Sequence, residues 1–280
     1  MASRRAVLIR SVIGAAVVAA TCAASAQDSS RVTPMTPDVV ESYEQVLPSA
    51  DFIRREAMVP MRDGVKLYTV IVMKKGTRNG PILLSRSPYD AYGSAHRVAS
   101  QRIVDILEVM DAEFAEDGYI RVYQDIRGLH RSEGAYVMNR PLVGPLNDTG
   151  IDESTDAYDT IDWLVKNVPE SNGKVGVIGS SYLGFTTLMA TIKPHPALRA
   201  AVAESPMVDG WMGDDWFHNG AFRISSREYA VGQATNKAQG GGDFALGGGD
   251  DYTRYLRAGS VGDFVKMLGI GHYPGVRKFL

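Results

Sequence analysis

The sequence feature that most constrains the fold is the stretch from Val175 to Ala190, VGVIGSSYLGFTTLMA. It begins as a short apolar run that is typical of a buried β-strand, passes through Gly-Ser-Ser-Tyr, and continues with the apolar content of a packed helix. A strand that turns directly into a helix is the basic unit of folds in which helices cover a largely parallel sheet. The stretch therefore predicts an α/β fold with a sharp strand-to-helix turn near Ser181.

The rest of the sequence alternates between strand and helix patterns up to Pro206. A β-rich hairpin over residues 57–73 turns at Arg62-Asp63-Gly64. Because strands that alternate with helices form parallel sheets with helices on both faces, this order supports the α/β class. After Pro206 the sequence becomes aromatic and acidic and then Gly-rich, which indicates the start of a cap region. The further predicted strands are 81–89, 119–125, 174–180 and 199–206, and the predicted helices are about 98–116, 155–167 and 182–192.

Ser181 is the candidate nucleophile at this turn. A serine on a tight strand-to-helix turn presents its hydroxyl above the edge of the sheet, and only small residues fit around such a turn. Gly179 and Gly184 flank Ser181, and the backbone N–H of Tyr182 is placed to donate to an oxyanion. We favour Ser181 over Ser180, whose position in the turn predicts a side chain directed back toward the sheet. The alternative is a plain strand-to-helix connection with surface serines.

The first 26 residues have the pattern of a secretory signal peptide. Three arginines precede the apolar run 12–20, and Ala24-Ser25-Ala26 offers a small-residue cleavage site. The run is shorter than the roughly 20 apolar residues of a membrane-spanning helix. We therefore expect a periplasmic or secreted protein without a membrane anchor after cleavage, and a mobile leader at residues 27–50.

Composition and motif spacing exclude several classes of function. A formal net charge of −2 gives no electrostatic footprint for nucleic acid. The single cysteine, Cys22, lies in the predicted signal peptide, so we expect neither disulfides nor a thiol nucleophile. No histidine or acid pair has metal-ligand spacing, and the Gly-rich run 240–251 does not follow a strand as a phosphate-binding loop would. We therefore predict no metal and no cofactor.

Four short motifs resemble those of one known family. They are MVPMRDGVKLYTVIV in the hairpin, SPY at residues 87–89, GSSYLG at the turn, and ESPMVDGWMGDDWFH after the last predicted strand. Together they resemble the α-amino-acid ester hydrolases, a branch of the cocaine-esterase and X-Pro dipeptidyl-peptidase-like serine hydrolases. The resemblance covers roughly residues 51–238, and it implies an α/β-hydrolase fold.

The resemblance also implies roles for individual residues. It makes Ser181 the acylated nucleophile, and it makes the backbone N–H of Tyr182 and the hydroxyl of Tyr89 the two donors of the oxyanion hole. It places Asp215 in a cluster of carboxylates that binds the α-ammonium group of the substrate. From the residues alone, N-capping of a helix that begins near Trp216 is the favoured role of Asp215.

A further implication is that the sequence ends before the family's catalytic machinery is complete. In this fold the nucleophile is followed along the chain by the acid and then by the histidine. His195 lies between prolines, His218 lies in the cap region, and His272 has no strand-loop context, so none matches the catalytic histidine. We therefore expect a hydrolase core at residues 51–206 that is truncated before its last strands, a partial cap and Gly-rich tail at 207–280, and no C-terminal β-sandwich domain.

The predicted function is that of an exported serine hydrolase of the α-amino-acid ester hydrolase type. It would hydrolyse α-amino-acid esters or amides, or transfer their acyl groups, including onto β-lactam nuclei, through an acyl-enzyme at Ser181. The alternatives are an X-Pro dipeptidyl-peptidase or general acyl esterase of the same group, and a non-catalytic remnant. A binding module for cations built on Asp214, Asp215, Asp250 and Asp251 is less well supported, because such acids commonly lie in solvated loops. The resemblance implies a small-molecule substrate and homo-oligomers, and it leaves the acyl donor open.

Overall fold

The computed structural model describes residues 42–45, 49–210, 212–213, 217–222 and 250–269. The predicted signal peptide and most of the predicted leader therefore lie outside the described residues, as do Asp215 and His272. Among the helices that are described, none is long and apolar enough to cross a membrane.

Seven strands form one mixed sheet in the order β1-β2-β3-β5-β4-β6-β7. The pairs β1–β2, β2–β3 and β3–β5 are antiparallel, whereas β5, β4, β6 and β7 run parallel to one another. A sheet with a parallel half of this kind confirms the predicted α/β class. The strands are β1 (Ser42–Gln45), β2 (Phe52–Pro60), β3 (Lys66–Lys74), β4 (Gly80–Ser87), β5 (Ile120–Asp125), β6 (Ser171–Ser180) and β7 (Leu198–Glu204).

Helices connect the parallel strands and lie on both faces of the sheet. The helices α1 to α3 join β4 to β5, α4 joins β5 to β6, and α5 joins β6 to β7. Beyond β7, a two-stranded hairpin of β8 and β9 precedes the helices α6 and α7. The helices and remaining strands are α1 (Ala91–Ser94), α2 (Ile103–Ile106), α3 (Val109–Glu116), α4 (Glu153–Asn167), α5 (Tyr182–Ala190), β8 (Phe217–His218), β9 (Ala221–Phe222), α6 (Asp251–Ala258) and α7 (Val261–Leu268).

Two apolar clusters make up most of the core. On one face, α4 and α5 pack on the strands through residues such as Ile161, Leu164 and Leu84. On the other face, α1 to α3 cover β3 and β5 through residues such as Ile103 and Tyr123. This second cover does not extend over β7, where Val202 is 56% exposed although it lies within a strand. The edge of the sheet at β7 is therefore open to solvent in the described part of the chain.

The predicted hairpin is confirmed, but the single predicted helix at 98–116 is wrong. The structure divides it into α2 and α3, because Leu107 and Glu108 both have extended backbone with ψ near 164° and 151°. After the break, α3 does not continue the helical repeat of α2. It buries Ala112 and Ala115 in the core and leaves Met110 60% exposed. The residues of 98–116 therefore do not present one continuous face to the sheet.

A cluster of buried charges lies where β4, α4 and the β2–β3 turn meet. The Arg86 guanidinium, which is fully buried, pairs with Glu153 at 2.9 Å and lies 3.8 Å from Asp156. The Arg127 guanidinium bridges Asp156 and Asp63, at 2.7 Å to each. Burial raises the pKa of the Glu153 carboxyl, and the charge of Arg86 opposes that rise. Because each buried charge has an opposite partner, the cluster holds four segments in one geometry, the fourth being the loop after β5 that carries Arg127.

We predict that Arg127→Met destabilises the protein strongly. The substitution removes the cation between two carboxylates, and an uncompensated buried charge costs about 3–5 kcal/mol. Arg62→Met is the matched control, because the side chain of Arg62 is 44% exposed in its pair with Asp159, and such a pair contributes about 1 kcal/mol or less. Urea unfolding of both variants measures the difference. Equal losses of unfolding free energy would contradict the assignment of a structural role to the buried cluster.

Candidate active site

The predicted strand-to-helix turn is present and is tightly bent at Ser181. The strand β6 ends at Ser180, α5 begins at Tyr182, and Ser181 between them has φ 58° and ψ −119°. A residue other than glycine is strained by about 1–3 kcal/mol in this backbone conformation. The N–H of Ser181 donates to the Glu204 carbonyl at 3.0 Å, and the Phe185 N–H donates to the Ser181 carbonyl at 3.0 Å. These bonds hold the strained residue between the end of β7 and the first turn of α5.

The two glycines around Ser181 are required by close packing. A Cβ atom on Gly179 would lie 2.3 Å from the Cβ of Leu183. A Cβ atom on Gly184 would lie 2.4 Å from the carbonyl oxygen of Glu204. Atoms that are not bonded do not approach so closely, so a side chain at either position would displace the backbone. The spacing G-x-S-x-x-G in the sequence therefore has a steric cause in the structure.

The prediction for Ser180 is wrong. Ser180 is exposed and does not point back into the sheet, because it continues the alternation of β6 onto the face that β7 leaves open. It lines an open cleft of about 910 Å³ together with Tyr89, Leu183 and Glu204. Ser181 is partly buried at the turn itself. Ser181 is not among the residues that line this cleft, so its backbone conformation is what distinguishes it from Ser180.

Tyr182 occupies the first position of α5 and is fully buried. The first N–H groups of a helix have no acceptor within the helix, so the Tyr182 N–H is available to a ligand. The Tyr182 hydroxyl accepts from the Asn139 N–H at 3.2 Å and lies 3.4 Å from the Tyr136 hydroxyl. Burial raises the pKa of the Tyr182 phenol above its ordinary value, and the Glu153 charge adds to the rise. The ring therefore stays neutral and ties the turn to the loop after β5, a role that sequence reasoning missed.

Tyr89 lies in the loop that follows β4, beside the turn at Ser181. The strands β4 and β6 are neighbours, and their connections lead to opposite faces of the sheet. Loops that diverge in this way leave a crevice at the carboxyl ends of the strands, which is where α/β proteins bind ligands. The Thr186 hydroxyl donates to the Arg86 carbonyl at 2.8 Å and so joins α5 to the end of β4. The Tyr89 side chain is 43% exposed at this crevice.

The structure does not test the predicted role of Asp215, which lies outside the described residues. Phe217, two residues later in the sequence, packs against a cluster that includes Tyr182, Phe185 and Met207. The Asn139 side-chain amide donates to the Met207 carbonyl at 2.8 Å. The segment after β7 is therefore attached to the same cluster that surrounds Tyr182.

The described histidines that form hydrogen bonds contact groups other than Ser181. The His130 Nε2 atom is 2.7 Å from the Pro88 carbonyl oxygen. The His195 Nε2 atom is 3.4 Å from Asp162, and its ring packs edge-on against Tyr158, which leaves its side chain 11% exposed. In the described part of the chain, no group of three or more histidine, cysteine or acidic residues is arranged to hold a metal ion.

Comparison with known proteins identifies the family. Residues 63–263 match the X-Pro dipeptidyl-peptidase family, S15. The chain belongs to this family. The cocaine esterase of Rhodococcus sp. (strain MB1 Bresler) is 31% identical over 174 residues, which are 62% of this chain and 27% of that enzyme.

Two solved structures are also similar to this chain. An α-amino acid ester hydrolase labelled with selenomethionine is 56% identical, with a TM-score of 0.78 over 88% of this chain. An aminopeptidase from a marine sediment archaeon, Thaumarchaeota archaeon, is 51% identical, with a TM-score of 0.79 over 87% of this chain. The predicted α/β-hydrolase fold is thereby confirmed. The chain spans 40% of each of these two proteins.

We predict that Gly184→Ala destabilises the protein, although alanine is the better helix former. The added methyl group would meet the Glu204 carbonyl at 2.4 Å, and overpacking of this kind costs about 1–3 kcal/mol. Gly262→Ala in α7 is the matched control, because its nearest neighbour would be 3.9 Å away, and helix propensity favours alanine there by up to about 1 kcal/mol. Thermal unfolding distinguishes the two. A Gly184→Ala variant as stable as the parent would refute the close packing of α5 on β7.

Proposed function

We propose that this chain carries the nucleophile and oxyanion hole of a serine hydrolase that acts on α-amino-acid esters. The observation that carries the proposal is the strained backbone of Ser181 at the junction of β6 and α5. A strained strand-to-helix turn that presents a serine is the signature of nucleophiles in α/β-hydrolases. The 56% identity to an α-amino acid ester hydrolase supports the choice of substrate class.

In the proposed reaction, the Ser181 hydroxyl attacks the ester carbonyl carbon and its proton passes to a general base. The carbonyl oxygen becomes an oxyanion that accepts hydrogen bonds from the Tyr182 N–H and the Tyr89 hydroxyl. The intermediate then collapses to an acyl-enzyme, and the leaving alcohol takes the proton from the base. Water releases the amino acid in a second cycle of the same steps. An amine, such as that of a β-lactam nucleus, would take the acyl group instead.

The general base is proposed to follow Ser181 along the chain, as the order of residues in this fold requires. Within the described residues, His130 and His195 are bonded to Pro88 and Asp162. Neither arrangement provides a base for Ser181.

Asp215 is proposed to select substrates that carry a positive charge next to the ester. The α-ammonium group of an amino-acid ester lies two bonds from the carbonyl carbon that Ser181 attacks. A carboxylate close to the nucleophile would stabilise that ammonium group. With an uncharged acyl ester bound, the same carboxylate would have no positive partner on the substrate.

Two other functions are supported by specific observations. The 31% identity to a cocaine esterase and the family match to X-Pro dipeptidyl-peptidases favour a general esterase or a peptidase. The bonding of His130 and His195 away from Ser181 favours a non-catalytic remnant. We also propose, from the signal-peptide pattern, that the protein is exported to the periplasm or beyond, and, from the family resemblance, that it assembles as a homo-oligomer.

The proposal is tested by comparing hydrolysis of phenylglycine methyl ester with hydrolysis of phenylacetic acid methyl ester. We expect Asp215→Asn to lower kcat/KM for the amino ester by about ten- to a hundredfold, since hydrogen bonds to charged groups contribute about 1.5–3 kcal/mol, and to leave the other ester unchanged. Asp162→Asn is the control, because this carboxylate pairs with Lys166 and His195. Equal effects on both esters would favour the general esterase. Hydrolysis of neither ester by the folded parent would favour the remnant.

A further inference from the structure

The loop that carries Tyr89 is fixed on both sides of Tyr89 by the last residue of β5 and by the loop that follows β5. Before Tyr89, the Pro88 carbonyl oxygen lies 2.7 Å from His130 Nε2. After Tyr89, the Ala91 N–H donates to Asp125 Oδ1 at 2.6 Å. The Tyr89 N–H itself donates to the Ser87 hydroxyl at 2.9 Å. The backbone around Tyr89 is therefore held by hydrogen bonds at residues 88, 89 and 91.

The contact with the Pro88 carbonyl oxygen fixes which ring nitrogen of His130 carries a proton. A carbonyl oxygen only accepts hydrogen bonds, so His130 Nε2 must carry the proton. The contact joins residues 42 positions apart in the sequence. It is therefore a tertiary contact that no local pattern specifies.

The loop around His130 is rigid enough to act as a support. His130 has φ 48°, in the left-handed region that non-glycine residues seldom adopt. The Gly128 N–H donates to the Glu133 carbonyl at 2.9 Å, and the Ser132 hydroxyl donates to the Asp125 carbonyl at 2.7 Å. A Cβ atom on Gly128 would lie 2.1 Å from the Tyr136 backbone nitrogen. A strained residue that is retained in a closely packed loop points to a function.

We propose that His130 is the positioning residue that aims the Tyr89 hydroxyl at the oxyanion. This inference rests on the proposed function, because it assumes that Tyr89 donates to the oxyanion. Donors to an oxyanion must be placed to within a few tenths of an ångström, because their contribution depends on a geometry formed before the reaction. Residue 130 acts through the Pro88 carbonyl and does not touch the substrate. Its loss would therefore lower kcat and leave KM nearly unchanged.

Two substitutions at residue 130 separate the hydrogen bond from the backbone. His130→Asn suits the left-handed conformation, but its amide nitrogen is one bond short of the position of Nε2. His130→Gln suits that conformation less well, but its Nε2 atom is as far from Cβ as the histidine Nε2 atom is. If the hydrogen bond to Pro88 matters, Gln restores function and Asn does not. If only the backbone matters, the order is reversed.

The first measurement is hydrogen–deuterium exchange of peptides covering residues 87–95, which needs no catalytic activity. We expect His130→Asn to accelerate exchange there by about tenfold, as local opening becomes easier, and His130→Gln to restore the parental rate. His195→Asn is the control, because His195 is bonded to Asp162, and exchange in this peptide should stay at the parental rate. Unchanged exchange in His130→Asn, or faster exchange in Gln than in Asn, would overturn the proposal.

The second measurement is a double-mutant cycle with Tyr89→Phe on the hydrolysis of an amino-acid ester. We expect His130→Asn to lower kcat by about tenfold with KM changed less than twofold, and to have no further effect when Tyr89 is already phenylalanine. An equal loss in both backgrounds would overturn the proposal. Full activity of Tyr89→Phe would instead overturn the oxyanion role of Tyr89, and the exchange rates would still decide whether His130 holds the loop.

Discussion

The backbone of Ser181 is the constraint on which the rest of the site depends. A residue with a side chain at φ 58° and ψ −119° is stable only where surrounding contacts fix it. Here the Glu204 carbonyl fixes Ser181 in two ways. It accepts a hydrogen bond from the Ser181 N–H, and it packs closely against Gly184 in the first turn of α5. The geometry of the candidate nucleophile therefore depends on the docking of α5 against the end of β7.

The remaining polar contacts bring the neighbouring loops to this turn. Arg86 takes part in two of them, because its carbonyl accepts from Thr186 on α5 and its buried guanidinium pairs with Glu153 at the start of α4. The Tyr182 ring then ties the turn to the loop after β5 through the Asn139 N–H. The connections that follow β4, β5 and β6 are thus held together at the carboxyl ends of these strands. The proposed oxyanion hole, formed by a backbone N–H and a phenol, would require this rigidity.

Local sequence patterns predicted the parts of the structure that are set locally. The turn at Ser181 follows from an apolar strand, two flanking glycines and an apolar helix, and the hairpin follows from Arg62-Asp63-Gly64. The division of the helix at Leu107 was not predicted, because no glycine or proline in the sequence marks the extended backbone of Leu107 and Glu108. The exposure of Ser180 and the bond from His130 to Pro88 also depend on which strands and loops lie side by side. No spacing in the sequence contains that information.

The central claim is that Ser181, and not Ser180, is an activated nucleophile. The most direct measurement is peptide mass spectrometry after incubation of the folded protein with a fluorophosphonate, which reacts only with activated serines. The account predicts one adduct on Ser181, its loss in Ser181→Ala, and its retention in Ser180→Ala. An adduct on Ser180 would contradict the account. The absence of any adduct on a folded sample with native thermal unfolding would mean that no base in this chain activates Ser181, and it would favour the non-catalytic remnant.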